Sequence, residues 1–374
     1  MSTILTITSG GSPLPSNVME LFDSAEVTLT DEGFSGFQLN FMIGRNKSSG
    51  RTDYSTLTSS VFKQCNRVII FVRFGTVPHV LMDGMITNHQ LDPGNRPGTG
   101  MLTVTGLDLT AKMHLTQYNA QYVSQNEVTI INSILGKYSG DGIVPKVVAP
   151  DTLETYPASK YTQTQHGSDY EYILELARRF NHKFYLKPGP TPGMSTAYWG
   201  PPVREGMPQP AISANMRQGS NATSINFSND ALSPTKITNE FQEWGTEKNR
   251  KIKSQQSTLQ TISGEPLLDI LKCKRTSFLH EPDVLSQAQA LAKADAMVNE
   301  SVERAVEASG ELNGFRYRHA LVAGELVQVR GVGGSYDGNY YVQSVTHTLR
   351  RGEYKQRFTL NREGTQTTTG KVNV

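Results

Sequence analysis

Several groups of residues in this chain have types and spacings that chemistry could use. Glu171 and Glu175 stand four apart, which puts both carboxylates on one helix face. A glycosidase needs its two carboxylates across a cleft, so a solvated face beside Arg178 and Arg179 is the simpler reading. Asp337-Gly338-Asn339 starts like a calcium loop, but the downstream Glu is missing. A hairpin turn, with Gly338 supplying a positive φ, fits better. Gly331-Val332-Gly333-Gly334 lacks the third glycine of a dinucleotide fingerprint and leads into a strand, so it reads as a turn. The eight histidines are scattered, and none neighbours an obvious nucleophile, although sequence separation alone leaves a spatial triad open.

Metal and nucleic-acid chemistry find little support. No Cys/His cluster has ligand spacing. Cys65 and Cys273 could pair, but two isolated thiols in 374 residues read more simply as reduced, intracellular residues. Lys248, Arg250, Lys251 and Lys253 form the densest basic cluster, without interleaved aromatics; a solvated loop or an acidic neighbour is expected. Arg350, Arg351, Lys355, Arg357 and Arg362 could line a channel or an interface, and the sequence does not choose. Asn46-Lys47-Ser48, Asn221-Ala222-Thr223 and Asn299-Glu300-Ser301 match glycosylation acceptors, which carry no meaning in a cytoplasmic chain. The expectation is therefore no catalytic residue, no cofactor and no metal.

Length and composition fit that picture. A chain of 374 residues suggests two to four domains, and 37% hydrophobic content suffices to build their cores. A formal net charge of +2 does not point to nucleic acid or an anionic membrane. The N-terminus has neither the basic nor the apolar region of a signal peptide. The longest apolar run, Val68-Ile69-Ile70-Phe71-Val72, is far short of the ~20 residues that span a bilayer. Synthesis and assembly in the bacterial cytoplasm are expected.

The elements that would position these residues are mostly strands. Phe37, Leu39, Phe41 and Ile43 alternate with Gln38, Asn40 and Met42, the period of a half-buried strand. Val27 and Leu29 repeat the pattern, Val68–Phe74 is apolar on both faces, and Asp92–Gly98 is turn chemistry. Val128, Ile131, Ile134, Leu135 and Tyr138 have helical spacing behind an Asn126 cap. Ser168-Asp169-Tyr170-Glu171 is a capping box opening a second helix, which Asn181 can end in the left-handed region. Residues 187–210, with seven prolines and four glycines, read as a loop. A third helix over Val284–Ala308, with Leu291, Val298, Val302, Ala305 and Val306 on one side, is expected to pack outside a second barrel. Strands return over Leu326–Asn361, and the Thr/Gly-rich end reads as frayed.

The two strand regions echo each other. Val72-Arg73, Ile86-Thr87 and Leu102-Thr103-Val104 match Val329-Arg330, Val345-Thr346 and Phe358-Thr359-Leu360. The expected fold is mainly β with α+β insertions: two similar tube-like antiparallel β-barrel domains plus a mixed α/β middle region. The boundaries are 1–115 for the first barrel and 116–210 for the middle domain, ending in the Pro/Gly-rich loop. Residues 211–283 form an irregular β region partly joining the second barrel, 284–363 a helix and that barrel, and 364–374 a flexible tail.

The C-terminal stretch from Ala323-Gly324-Glu325 through Gly331, Asp337-Gly338-Asn339-Tyr340-Tyr341, Val345-Thr346-His347 and Phe358-Thr359-Leu360 resembles the late control protein D family of phages. That family includes the baseplate hub of contractile tails and the hub half of the valine-glycine-repeat spike of type VI secretion. Val27–Leu39, with Gly36, Phe37 and Leu39, looks like its first barrel hairpin, and Ser168-Asp169-Tyr170 into Leu176-Ala177-Arg178-Arg179-Phe180 like its middle helix. Asn181 stands where many relatives have glycine, a substitution the same backbone angle tolerates. Only twelve residues follow Arg362, whereas the type VI spike continues into a needle, so the resemblance implies a stand-alone hub with a separate spike protein.

The resemblance further implies a homotrimer whose six barrels match a six-fold inner tube protein and a three-fold spike. Other baseplate subunits and cargo in the lumen are further implied partners, with no specific nucleic acid and no membrane insertion. Two other functions compete with this one: a tail-associated cell-wall hydrolase and a host-glycan-binding module. With only Trp199 and Trp244, the sequence offers no tryptophan ladder for sugars.

Overall fold

The computed structural model describes residues 3–43, 60–95, 99–155, 157–159, 161–242, 249–279 and 286–368. The main sheet has thirteen strands among the described residues, and all but the short Ser12–Pro13 fall into two units of six. The first holds β1 (Thr3–Ser9), β2 (Phe22–Thr30), β3 (Gly36–Ile43), β4 (Arg67–Phe74), β5 (Val77–Asp92) and β6 (Gly100–Asp108). The second holds β7 (Gln209–Ser213), β8 (Ala222–Asn229), β9 (Val306–Asn313), β10 (Leu326–Arg330), β11 (Gly338–Arg350) and β12 (Glu353–Arg362). In space the first runs β2-β3-β6-β5-β4-β1 and the second β8-β9-β12-β11-β10-β7. Each strand of the first unit thus has a counterpart six positions later. One difference is direction: β1 is antiparallel to β4, whereas β7 is parallel to β10.

The agreement reaches individual bulges. β5 slips one residue against β6 between Ile86 and Asn88, and β11 slips against β12 between Val342 and Ser344. β2 slips against β3 between Phe22 and Ser24, and β8 against β9 between Ala222 and Ser224. Beside the first pair of bulges the backbone bonds match as well. Ile86 accepts from Cys65 and donates to Asn66, while Val342 accepts from Gly324 and donates to Glu325. Bulges of this kind are built-in features that redirect a strand. The sequence echo therefore paired the correct strands, but its register moves by two or three residues. Ile86 corresponds to Val342 rather than Val345, and Val104 to Phe358.

One apolar core runs through both units. Phe41, Ile70 and Val104 from the first and Val306, Tyr340 and Phe358 from the second belong to the same buried cluster. Full burial of side chains this size contributes roughly 1.5–3 kcal/mol each. The reason is visible in the alternation: Phe37, Leu39 and Phe41 are buried while Gln38 and Met42 are exposed.

Between the units lies the mixed α/β region. Its helix Glu127–Gly136 is capped by Asn126, whose Oδ1 accepts from Thr129 N at 2.9 Å. The helix Asp169–Arg178 opens with the expected capping box, and Asn181 follows it at φ 55°. Both pack on a three-stranded sheet of Lys183–Pro188, Ser195–Gly200 and Ile143–Val147. The proline-rich stretch 187–210 is thus not all loop: Ser195–Gly200 is a strand that carries the fully buried Trp199. Of its prolines only Pro188 enters that sheet, at the end of the ladder opposite Ser195.

Two further expectations change. The third helix spans Gln287–Glu303 and packs chiefly on an inserted sheet, not outside the second barrel. Ala290, Ala294, Val298 and Val302 meet Ile237 and Ile252 of that sheet, while Leu291 is exposed. The sheet consists of Asn249–Ser254, Thr235–Gln242 and Arg275–Phe278. Nor does the tail begin at 364: Gly364–Thr367 is a strand paired with Ser263–Pro266. Residues 369–374 lie outside the described residues, as do Asn46-Lys47-Ser48, Trp244, Lys248 and the expected start of the third helix at Val284.

Candidate functional site

The two units are joined edge to edge. Beyond its bulge, β11 leaves β10 and pairs with β2, from Ser344 opposite Thr30 to Arg350 opposite Ser24. Paired residues share a face, so rows of side chains can be followed across the seam. One row, Gln356–His347–Val27–Phe37–Gly106–Ile86, faces the core. The next, Asn313–Lys355–Thr348–Glu26–Gln38–Thr105–Asn88, faces solvent and is polar throughout. So is Glu353–Arg350–Ser24–Asn40–Thr103–Gln90.

These groups bond sideways to one another. The Thr28 and Thr346 hydroxyls meet across the seam at 3.1 Å. Asn40 Nδ2 donates to Ser24 Oγ at 3.0 Å, and Thr103 Oγ1 donates to Asn40 Oδ1 at 3.0 Å. Lys355 pairs with Glu353 at 2.7 Å. The result is a broad hydroxyl- and amide-rich face whose few charges offset each other. It suits extended contact rather than bond-making chemistry.

An ionic cluster with buried Asp31, Lys183 and Glu303 and exposed Glu32 and Arg304 locks the seam to the rest of the chain. The turn after β2 supplies Asp31 and Glu32, and the middle sheet supplies Lys183. Lys183 Nζ lies 3.0 Å from Glu32 and 3.0 Å from Glu303 at the end of the inserted helix. Arg304 reaches Glu32 at 2.6 Å, Asn181 bonds Glu303, and the Tyr341 hydroxyl donates to Asp31 at 3.0 Å. Burial raises the Asp31 carboxyl to about 7, opposed by the nearby Lys183 ammonium. Burial of Lys183 is outweighed by Glu303, Asp31 and Glu32, which push its ammonium above the usual lysine range. Sequence reasoning missed this cluster; its one signal was a lysine placed directly before the apolar run Phe184-Tyr185-Leu186. Beside it a cleft of about 1030 Å³ opens between the middle region and the inserted helix.

The family-motif residues resolve into framework roles. Gly36 lies opposite Leu107 on β6, and a Cβ added to it would stand 3.1 Å from the neighbouring Gly106 carbonyl oxygen. Phe37 and Leu39 are buried beside them. Val345, Phe358 and Leu360 fill the core of the second unit, and His347 Nδ1 meets the Tyr354 hydroxyl at 2.9 Å. Asp337 Oδ1 accepts from Val332 N at 2.9 Å and closes the turn. Gly331 and Gly338 hold φ of +82° and +127°, conformations that favour glycine. Tyr340 is buried against Arg362, whose guanidinium lies 4.3 Å from the ring centroid. Arg362 is itself buried and donates to the carbonyls of Gly364, Asp337 and Ser335, so it lines no channel.

The residues first weighed for chemistry are also accounted for. Glu171 closes the capping box on Ser168, and Glu175 pairs with Arg179 at 2.9 Å. Cys65 and Cys273 are free and exposed. Lys251 pairs with Glu240 at 2.9 Å. Among the described residues no three His, Cys, Asp or Glu side chains are grouped to hold a metal.

No family model matches the chain, and no curated protein matches it by sequence. Solved structures do. The 43 kDa tail protein of prophage MuSo2 from Shewanella oneidensis is similar with a TM-score of 0.67 at 12% identity, over 97% of this chain and 99% of that one. A tail protein from Neisseria meningitidis MC58 gives 0.66 at 12% identity, over 97% of each chain. An Escherichia coli component of the type VI secretion system, described as similar to the T4 tail proteins gp27 and gp5, gives 0.57 at 10% identity, over 99% of this chain and 80% of that one. The chain has the mainly β fold of phage tail proteins and of hub-like type VI components, along its whole length.

Proposed function

We propose that the protein is a structural baseplate hub of a contractile tail or injection system, and that it acts as a trimeric ring. The observation that carries this reading is the matched pair of β units, alike in strand order and in two of their bulges and fused edge to edge. Three copies of such a chain present six similar barrels, enough to meet a six-fold inner tube. The insertion between β8 and β9, residues 230–305, has no counterpart in the short turn after β2. It therefore occurs once per chain and marks three positions in the ring, as a three-fold spike requires. The polar open face of the sheet would line the lumen.

The work done is shape matching and burial between subunits, with no bond made or broken. The residues assigned to it are the framework residues above, not a catalytic set. Light scattering on the purified protein, with micrographs of the particle carrying a tagged subunit, tests the proposal. Three copies in a ring are expected; a monomer within the assembled particle overturns it. Clearing of peptidoglycan by the purified chain would favour a hydrolase instead.

A further inference from the structure

Each unit offers the same two edges, but only one pair of them is covered. Within the chain, β11 past its bulge covers β2, and Val345, His347 and Leu349 are buried there with Ala25, Val27 and Leu29. The counterpart of that part of β11 is β5 beyond Ile86; the counterpart of β2 is β8. Neither carries a second neighbour along this edge among the described residues. Thr87 to Asp92 and Ala222 to Asn229 are mostly exposed.

We propose that a second copy of this chain lays its β8 antiparallel on β5, with Phe227 opposite Leu91. This repeats between chains the pairing that β2 and β11 make within one. It rests on the ring reading above and specifies which edges close the ring. The matched bulges set the register: Thr87 stands for Gln343, and Ser224 for Ser24. Applied to the internal pairing, that correspondence places His89 opposite Asn229, Gln90 opposite Ser228 and Asp92 opposite Asn226. Ala231 N–H then donates to the Thr87 carbonyl, as Asp31 N–H donates to the Gln343 carbonyl at 3.1 Å.

Three observations favour this occupant. Leu91 is 38% exposed although its ladder partner Leu102 is fully buried, so it is a core-facing residue left open at an edge. Phe227 is likewise core-facing, next to buried Ala308 and stacked on Tyr336 at 4.6 Å, and only partly covered. The pairing sets these two apolar side chains together while Gln90, Asp92, Asn226 and Ser228 continue the polar rows. Finally, β8 reads Ala-Thr-Ser-Ile-Asn-Phe-Ser-Asn, without the charge or proline that usually protects a free edge. One chain has one edge of each kind, so the contact is head-to-tail and closes if its rotation permits.

Cysteines placed at Gln90→Cys and Ser228→Cys, with Cys65→Ser and Cys273→Ser, test the register. The site copies Thr28 and Thr346, whose side chains touch across the internal seam. Under mild oxidation the monomer band should be lost to a covalent ladder ending at three chains. The shifted pair Gln90→Cys with Asn226→Cys should stay monomeric on the gel. Leu91→Lys should abolish the trimer in light scattering with an unchanged melting temperature. A trimer that fails to cross-link at 90 and 228 overturns the strand pairing and leaves the ring standing. A chain that stays monomeric overturns both, and a ladder running past three supports the pairing but overturns the closed ring.

Discussion

The two β units match in strand order and in two bulges but differ where their chains leave the sheet. After β2 the first unit turns within residues 31–35; after β8 the second departs for residues 230–305. The short turn carries Asp31 and Glu32, and it is there that Lys183, Glu303, Arg304 and Tyr341 converge. The core is conserved between the units as a pattern, not as residues. Phe37 on β3 lies over Gly106 on β6, whereas in the second unit Phe358 on β12 lies over Gly310 on β9. Ring and gap have changed strands, and the packing survives because the two strands are neighbours in both units. The lesson is that duplicated sheets tolerate exchange inside and specialise at their connections.

Breaking the ionic turn should have the largest effect. Lys183→Met leaves Asp31, Glu32 and Glu303 without their common buried cation, a loss of about 3–5 kcal/mol in urea denaturation. A loss under about 1 kcal/mol would show that the turn is not the anchor proposed here.

The aromatic-over-glycine exchange predicts two matched losses. A Cβ on Gly106 would stand 2.3 Å from the Met85 carbonyl oxygen and 2.3 Å from Phe37 Cζ. On Gly310 it would stand 2.3 Å from the Ser224 carbonyl oxygen and 2.7 Å from Phe358 Cζ. Gly106→Ala and Gly310→Ala should each cost about 1–3 kcal/mol by chemical denaturation. Sharply unequal losses would break the equivalence of the units.

A titration separates the units next. His347 in the second unit corresponds to Leu91 in the first. Burial holds its imidazole down to about 3, far below its ordinary value of 6.5. The unfolded chain therefore takes up a proton below pH 6.5 that the folded chain refuses. Stability from this group is complete above pH 6.5 and is lost as the pH falls toward 3. Between pH 7.5 and 4.5, His347→Leu should reduce the acid-induced loss by about 3 kcal/mol relative to the parent. Parallel curves for the two proteins would contradict the burial argument.

The smallest effect belongs to the seam's outer face. Thr28→Val should cost about 0.5 kcal/mol, and adding Thr346→Val should cost less than the two single changes summed. Strict additivity in this double-mutant cycle would mean the hydroxyl contact contributes nothing.

Much of the fold was legible in the sequence. Period-two alternation located β2 and β3, and the caps at Asn126 and Ser168 located both middle helices, because those signals are local. The strand echo was legible too, but its register was not. A bulge adds one residue without changing composition, so Ile86 was set against Val345 instead of Val342. Ser195–Gly200 hid among prolines because none falls within it: Pro188 ends the partner strand opposite Ser195, and Pro190, Pro192, Pro201 and Pro202 flank it. The ionic cluster draws on four distant segments, and nothing in their local patterns announces that they meet.

The extra residue in β5 and β11 has a consequence for how this chain can change over time. Side chains alternate faces strictly along a strand, but the bulge residue stands outside the ladder: Val342 pairs with Leu360 and Ser344 with the next residue, Thr359. Removing Gln343 alone would straighten the strand and leave Val345 and His347 in the core. Removing a paired residue such as Thr346 would instead turn everything after it to the opposite side and carry His347 into water. Thr87 and Gln343 are therefore the places on β5 and β11 where a deletion keeps the faces, at the cost of the bend.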